Sequence, residues 1–165
     1  MNRSFRKALL ERQVTLGTWL QINNATAAEV LSNTGYEWIA IDIEHTDIDI
    51  TSLTSLLRGM YGRGVAPVAR VATNALLDIR RALDAGAQGV ICPMIETSDD
   101  AARFVRSCLY PPMGARSFGP IRARIAHGDG YGAAANAHVQ PIAMIETHEA
   151  VENLDAILEV EGLAA

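Results

Sequence analysis

The sequence predicts an α/β fold built on a parallel sheet, and three observations predict it. Apolar runs of strand length alternate with helix-like runs along all 165 residues, the spacing of βαβ units. Three of the strand-like runs end in ionisable groups. Trp38-Ile39-Ala40-Ile41-Asp42-Ile43 leads into Glu44 and His45, Pro67-Val68-Ala69 ends in Arg70, and Ile142-Ala143-Met144-Ile145 ends in Glu146. A buried strand has no need of such residues, whereas sites at the carboxyl ends of parallel strands do. The third observation is an echo: Met-Ile-Glu-Thr occurs at 94–97 and again at 144–147, each time leading into a helix. Three polar strand ends point to one site at one rim of a sheet or barrel.

The elements follow in order. Residues 4–12 read as a short leading helix and 16–22 as a first strand. Residues 25–33 form a helix that Gly35 closes as a left-handed cap. Residues 38–43 are a second strand. Residues 50–60 are a helix, with Leu53, Leu56, Leu57 and Met60 at helical spacing. Residues 66–70 are a third strand, and 76–85 a helix ending at Gly86. Residues 89–92 are a fourth strand stopped by Pro93, and 98–109 a helix with Ser98 as N-cap. Residues 110–130 form a long loop rich in Pro, Gly and Arg, of a length that is often functional. A short Ala-rich helix over 131–138, a strand over 140–145 and a helix over 148–158 follow. Residues 161–165 resemble a helix end and the start of a sixth strand.

Composition sets limits. A hydrophobic content of 49% with 20% charged residues suits a globular domain with a real core. The net charge of -5, with Arg scattered except near Arg116, Arg122 and Arg124, gives no footprint for nucleic acid. No apolar run reaches the roughly 20 residues that span a bilayer. The N-terminal stretch has charges but no apolar core or cleavage site, so it is not a secretory signal. Cys92 and Cys108 form no CxxC pattern and read as reduced, buried thiols, which places the protein in the cytoplasm.

Several residues could carry chemistry. Asp42 and Glu44 share a face of the strand, where they could hold a metal or orient a base, or else cap a helix or pair with arginines. His45 has the pKa range of a general base, or is simply exposed. Arg70 could bind a carboxylate or polarise a keto oxygen with its forked donors, or form a structural ion pair. Glu146 would suit Mg²⁺ or Mn²⁺, which favour oxygen ligands. Asp84 sits at a helix end where the dipole disfavours it, which hints at another use. Glu96 falls in a loop beyond its strand. His127, His138 and His148 lack metal-ligand spacing and read as surface or capping residues. The Gly-rich stretches match no phosphate loop.

Taken together, these segments resemble the HpcH/HpaI aldolase family, the metal-dependent class II pyruvate aldolases that act on 4-hydroxy-2-oxoheptanedioate or 2-keto-3-deoxy sugar acids. The resemblance rests on Leu16-Gly17-Thr18-Trp19, Ile41-Asp42-Ile43-Glu44-His45, Pro67-Val68-Ala69-Arg70-Val71, Leu83-Asp84-Ala85-Gly86, Tyr110-Pro111-Pro112-Met113-Gly114-Ala115-Arg116 and Met144-Ile145-Glu146-Thr147. It implies a (β/α)₈ TIM barrel of the phosphoenolpyruvate/pyruvate type. Residues 1–165 would form a single domain holding about the first five βα units. It implies a homo-oligomer, hexameric in the family, with no nucleic-acid or membrane partner.

The implied activity is reversible aldol cleavage of a 4-hydroxy-2-oxo acid to pyruvate, or a similar 2-oxo acid, and an aldehyde. The reaction would pass through an enolate stabilised by Mg²⁺, Mn²⁺ or Co²⁺. By resemblance, His45 would be the base and Asp84, from a neighbouring subunit, its partner. Arg70 would hold the keto oxygen and Trp19 would line the pocket. Glu146 would bind the metal directly and Asp42 would support its water shell. A Schiff-base mechanism is disfavoured because Lys7, the only lysine, lies in the leading helix. Family members continue into a strand ending Gly-Pro-x-Asp-Leu-Ser whose Asp is a second metal ligand, so the chain reads as truncated before that ligand. The competing readings are a related lyase acting on an acyl-CoA or phosphoenolpyruvate-like substrate, for which the arginines near 116–124 leave room, and a non-catalytic fragment. The aldehyde partner is open.

Overall fold

The protein is described over residues 3–165 from a computed structural model; Met1 and Asn2, the start of the segment read above as lacking a secretory signal, lie outside the described residues. Helix α1 (Arg3–Leu10) precedes strand β1 (Gly17–Leu20). The βα succession continues with α2 (Ala25–Leu31), β2 (Trp38–Asp42), α3 (Ile50–Met60), β3 (Ala66–Arg70), α4 (Leu76–Asp84), β4 (Gly89–Cys92) and α5 (Ser98–Cys108). Then come α6 (Ile121–His127), α7 (Tyr131–His138), β5 (Gln140–Ala143), α8 (His148–Glu152) and α9 (Leu154–Leu158). The strands pair in parallel in their sequence order, β1-β2-β3-β4-β5. Such a succession, with no crossover past a neighbour, is how a barrel wall is laid down.

The two faces of the sheet differ because side chains alternate along each strand. Ile39 and Ile41 of β2, Ala69 of β3 and Val90 and Cys92 of β4 join the main core with Leu53, Leu56 and Leu57 of α3, Ile79 and Leu83 of α4 and Phe104 of α5. On the opposite face Ala40, Ala66, Val68 and Ile91 form a smaller cluster with Phe5, and Trp38 packs against it. Phe5 meets Trp38 at 6.5 Å between ring centroids, so α1 covers the start of the strands on this inner face. Gly17 pairs in register with Trp38, and a Cβ there would lie 2.0 Å from the indole. Glycine is therefore required at that position.

Three expectations change. The long connection over 110–130 contains α6; Pro120 before it and Gly128 after it, at φ 88°, are the start and stop signals that mark it. The helix over 148–158 is broken at Asn153, whose side chain turns aside to donate to the Glu96 carbonyl at 2.9 Å. The N-cap of α5 is Thr97 rather than Ser98. The Thr97 hydroxyl accepts from the Asp100 amide at 3.1 Å, and the Asp100 carboxylate accepts from the Thr97 amide at 3.1 Å, a reciprocal capping box. The expected start of a sixth strand is present as backbone bonds: Ala164 donates to Pro141 O at 2.8 Å and Ala143 to Ala165 O at 2.8 Å.

Thr97→Ala is expected to lower stability by about 1 kcal/mol. Ser98→Ala should leave the urea-unfolding midpoint nearly unchanged. Equal effects of the two substitutions would contradict the capping assignment.

Candidate active site at the strand ends

The inner face carries small side chains along its middle and polar ones at its carboxyl end. The β2–β3 register sets Asp42 directly beside Arg70. Arg70 donates through Nε to Asp42 Oδ1 at 2.9 Å and through Nη2 to Oδ2 at 2.6 Å, a fork-to-carboxylate pair. Asp42 is fully buried. Its oxygens also accept from Gln21 Nε2 at 3.1 Å and from the backbone amides of Glu44 and His45 at 3.0 and 3.3 Å. Burial alone would raise the Asp42 pKa, but the hydrogen bonds from Arg70, Gln21 and the two amides outweigh it and hold the carboxyl at about 2. Arg70 moves the other way, its pKa raised above the usual value by its bonds to Asp42.

The remaining rim groups gather around Arg70. Its guanidinium lies 4.8 Å from the centroid of the Trp19 ring, a cation–π contact, and its Nη1 faces the Met144 sulfur at 3.9 Å. Glu44 Oε2 stands 3.4 Å from Arg70 Nε, while Glu44 Oε1 is 3.7 Å from His45 Nε2. The His45 side chain is 67% exposed and so faces solvent at the rim. Glu146 accepts from the Met94 amide at 3.0 Å. Met94 itself sits at φ 53°, the left-handed region that non-glycine residues seldom adopt. Trp19, Asp42, Glu44, His45, Arg70 and Glu146 thus converge at one end of the sheet. Gln21, Met94 and Met144 complete the group, and none of them was read as a site residue. The signals were the repeated Met-Ile-Glu-Thr, which begins at Met94 and Met144, and Gln21 following Trp19 by two on the same face.

Asp84 lies elsewhere. It ends α4, which runs back from the rim, and so belongs to the opposite end of the sheet. There it accepts from Arg116 Nη2 at 2.7 Å. Arg116 is buried, donates from Nη1 to Tyr131 OH at 3.1 Å, and stacks 4.4 Å from the Tyr110 ring centroid. The arginines near 116–124 therefore form no common anion-binding patch: Arg124 pairs with Asp129 at 3.3 Å, and Arg122 lies over Tyr61 at 5.5 Å. His127, expected at the surface or as a cap, is half-buried, with Nε2 3.2 Å from the Gly86 carbonyl; burial pulls its pKa down to about 4. His138 and His148 each end or begin a helix.

For a divalent cation, the donor chemistry at the rim fits. Glu44 Oε2 is buried without a hydrogen-bond partner, and Glu146 is an exposed carboxylate beside the same arginine. Hard cations such as Mg²⁺ take one or two carboxylates and keep several waters. Among the described residues no group of three or more His, Cys, Asp or Glu side chains could enclose a metal. Asp42 already accepts five hydrogen bonds from protein donors, so contact with a metal's water would have to replace one of them.

Comparison with known proteins shows the family and the fold. The family model described as HpcH/HpaI aldolase/citrate lyase matches residues 15–165. A hydroxypyruvate/pyruvate aldolase from Rhizorhabdus wittichii is 39% identical over 93% of this chain and 61% of its own length. A 2-dehydro-3,6-dideoxy-6-sulfogluconate aldolase from Pseudomonas putida is 38% identical over 95% of this chain and 63% of its own. The crystal structure of a HpcH/HpaI aldolase/citrate lyase family protein from Burkholderia cenocepacia J2315 superposes with a TM-score of 0.90 at 33% identity, covering 99% of this chain and 66% of that one. The chain thus spans about three fifths of the length of the curated relatives it matches, and its sheet corresponds to part of a barrel.

Because the folded Asp42 pKa lies below the ordinary value of 3.8, at about 2, the stabilisation it brings is complete above the ordinary value and lost as pH falls through the folded one. That loss should be on the order of 2 kcal/mol. Urea unfolding between about pH 5 and pH 2 measures it, and Asp42→Asn should flatten that part of the slope.

Proposed function

The chain belongs to the HpcH/HpaI aldolase/citrate lyase family, and on that footing we propose that its protein is a carbon–carbon lyase of the class II aldolase type. It would cleave a 4-hydroxy-2-oxo acid reversibly to pyruvate, or a similar 2-oxo acid, and an aldehyde. The observation that carries this reading is Arg70, fixed by Asp42 and Trp19 at the end of β3 with Nη1 turned to the Met144 sulfur. A guanidinium held in this way is a preorganised charge for a developing oxyanion.

The residues divide the work. Arg70 binds the 2-keto oxygen through Nη1 and favours negative charge on it. His45, exposed beside Glu44, takes the proton from pyruvate carbon 3 in the condensation direction and returns it in the reverse. Glu44 keeps the imidazole at the rim. Trp19 walls the pocket beside the guanidinium. Glu146, with Glu44 beside it, would hold Mg²⁺, Mn²⁺ or Co²⁺, and such an ion when bound would polarise the keto oxygen as a Lewis acid. Asp42 acts through Arg70 by locking its fork. Asp84 would reach the His45 of a neighbouring copy, and its side chain keeps 29% exposure beside Arg116.

The same proposal extends to assembly and location. Ile121 and Ile125, one turn apart on α6, are 79% and 70% exposed. They support an oligomer, the hexamer expected for the family, with small 2-oxo acids and aldehydes as partners rather than nucleic acid or membrane. Among the described residues no helix is long and apolar enough to cross a membrane. The free thiols of Cys92 and Cys108 suit a reducing cytoplasm.

The test is exchange of the pyruvate methyl protons with D₂O, followed by proton NMR with Mn²⁺ and then EDTA. Exchange is expected with the metal and not with the chelator. His45→Ala should slow it about 10²–10⁴-fold, and Arg70→Ala about 10²–10³-fold. A folded sample that shows no exchange with Mn²⁺ would favour the non-catalytic reading.

A further inference from the structure

A cavity lies at the end of the strands opposite Arg70. It has a volume of about 480 Å³ and is bordered by Leu57 and Met60 of α3, Tyr61 in the turn that follows, Gln88 before β4, and Arg122 and His127 of α6. Gln88 and the turn after α3 precede their strands, whereas Arg70 and Asp42 end theirs. This volume is that of a small-molecule site.

Its polar groups are unusual. Arg122 Nη1 is buried and has no hydrogen-bond partner. Such a donor leaves an interaction unmade. The Arg122 side chain stacks over Tyr61, and Arg58 is a like charge close enough to act on it. Burial, then Arg58, push the Arg122 pKa below its ordinary value, and no carboxylate offsets them. Among the described residues lining the cavity there is no Asp or Glu. Arg70 and Arg116, by contrast, each hold a carboxylate within 2.7 Å. His127 is tied to the Gly86 carbonyl and stacks on Tyr131, so its ring serves as wall. The remaining lining is largely apolar.

We propose that this cavity binds a small organic oxyanion, a carboxylate or phosphate ester on an apolar or aromatic body, with the head on Arg122 and the body against Tyr61, Leu57 and Met60. The site is separate from the strand-end rim and independent of the aldolase reading. A guanidinium recognises either head group through charge-assisted hydrogen bonds. Apolar lining and the ring of Tyr61 favour a ligand with a hydrocarbon body over a bare inorganic ion.

Titration of the ¹⁵N-labelled chain with benzoate, phenyl phosphate and inorganic phosphate, each alone, tests the site by amide and arginine Nε spectra. The expected result is saturable shifts at Gly62, Gly86, Gln88 and Arg122, with at least one phenyl probe binding more tightly than inorganic phosphate. The tighter of the two phenyl probes identifies the head group. Arg122→Gln should weaken binding about tenfold or more, with Arg122→Lys in between. Arg124→Gln, which removes the same charge from an exposed position on α6, should change little. If Arg122→Gln does not fold, Arg122→Lys and Tyr61→Leu carry the comparison. Absent saturation, shifts confined to the Asp42–Arg70 rim, or equal loss from Arg124→Gln would each overturn the proposal.

Discussion

The pairing of Asp42 with Arg70 is the constraint on which the rim is built. Both side chains are taken from water at adjacent positions of β2 and β3, and burying two charges carries a large desolvation cost. That cost is met by geometry: two parallel bonds from the fork, a third donor from Gln21, and two amides from the turn after β2. Removing either partner would strand a buried charge, a loss of about 3–5 kcal/mol. The pair also determines what lies near it. With Arg70 fixed, Trp19 has a cation to stack on, and Glu44 and Glu146 have a positive neighbour that offsets their mutual repulsion.

The opposite end of the sheet answers a different need. The connection after α5 must turn back on itself, and it does so over Gly114, where a Cβ would lie 2.2 Å from the Leu109 carbonyl. Arg116 then inserts between Tyr110 and Tyr131 and reaches Asp84. One arginine thereby ties α4, the connecting loop and α7 together. Each arginine leaves one buried nitrogen without a hydrogen-bond partner, Nε in Arg116 and Nη1 in Arg122, but Arg116 is neutralised by Asp84 whereas no carboxylate faces Arg122, and this contrast separates a structural cation from one with capacity for a ligand.

Much of this was legible from residue order. Alternating strand and helix patterns located all five strands, because each apolar run has a Gly, Pro or charged residue at or near one of its ends. The polar ends of β2 and β3 and the polar continuation of β5 announced the rim, because an ionisable group has no place in the middle of a buried strand. What sequence left unread depended on distant partners. Asp42 was read as a possible partner of an arginine and, by resemblance, as a support for a metal's water; which arginine it meets is set by strand register, because Arg70 is 28 positions away. Asp84 and Arg116 are 32 apart, so no local pattern could pair them. The arginines near 116–124 looked like one patch along the chain, but the turn at Gly114 and the helix α6 send them to separate surroundings. The break at Asn153 likewise rests on a carbonyl supplied by Glu96, far back in the chain.

The two thiols have a consequence for how opening of this fold can be watched. Cys92 ends β4 and Cys108 ends α5, both buried in the main core. Burial pushes the Cys92 thiol up to about 12 and raises that of Cys108 as well, so neither offers a reactive thiolate at neutral pH. A thiol-specific reagent can reach them only when β4 and α5 part from the core. The two cysteines are therefore built-in clocks for transient opening of the middle of the sheet, recording how often the main core comes apart while the rest of the chain remains folded.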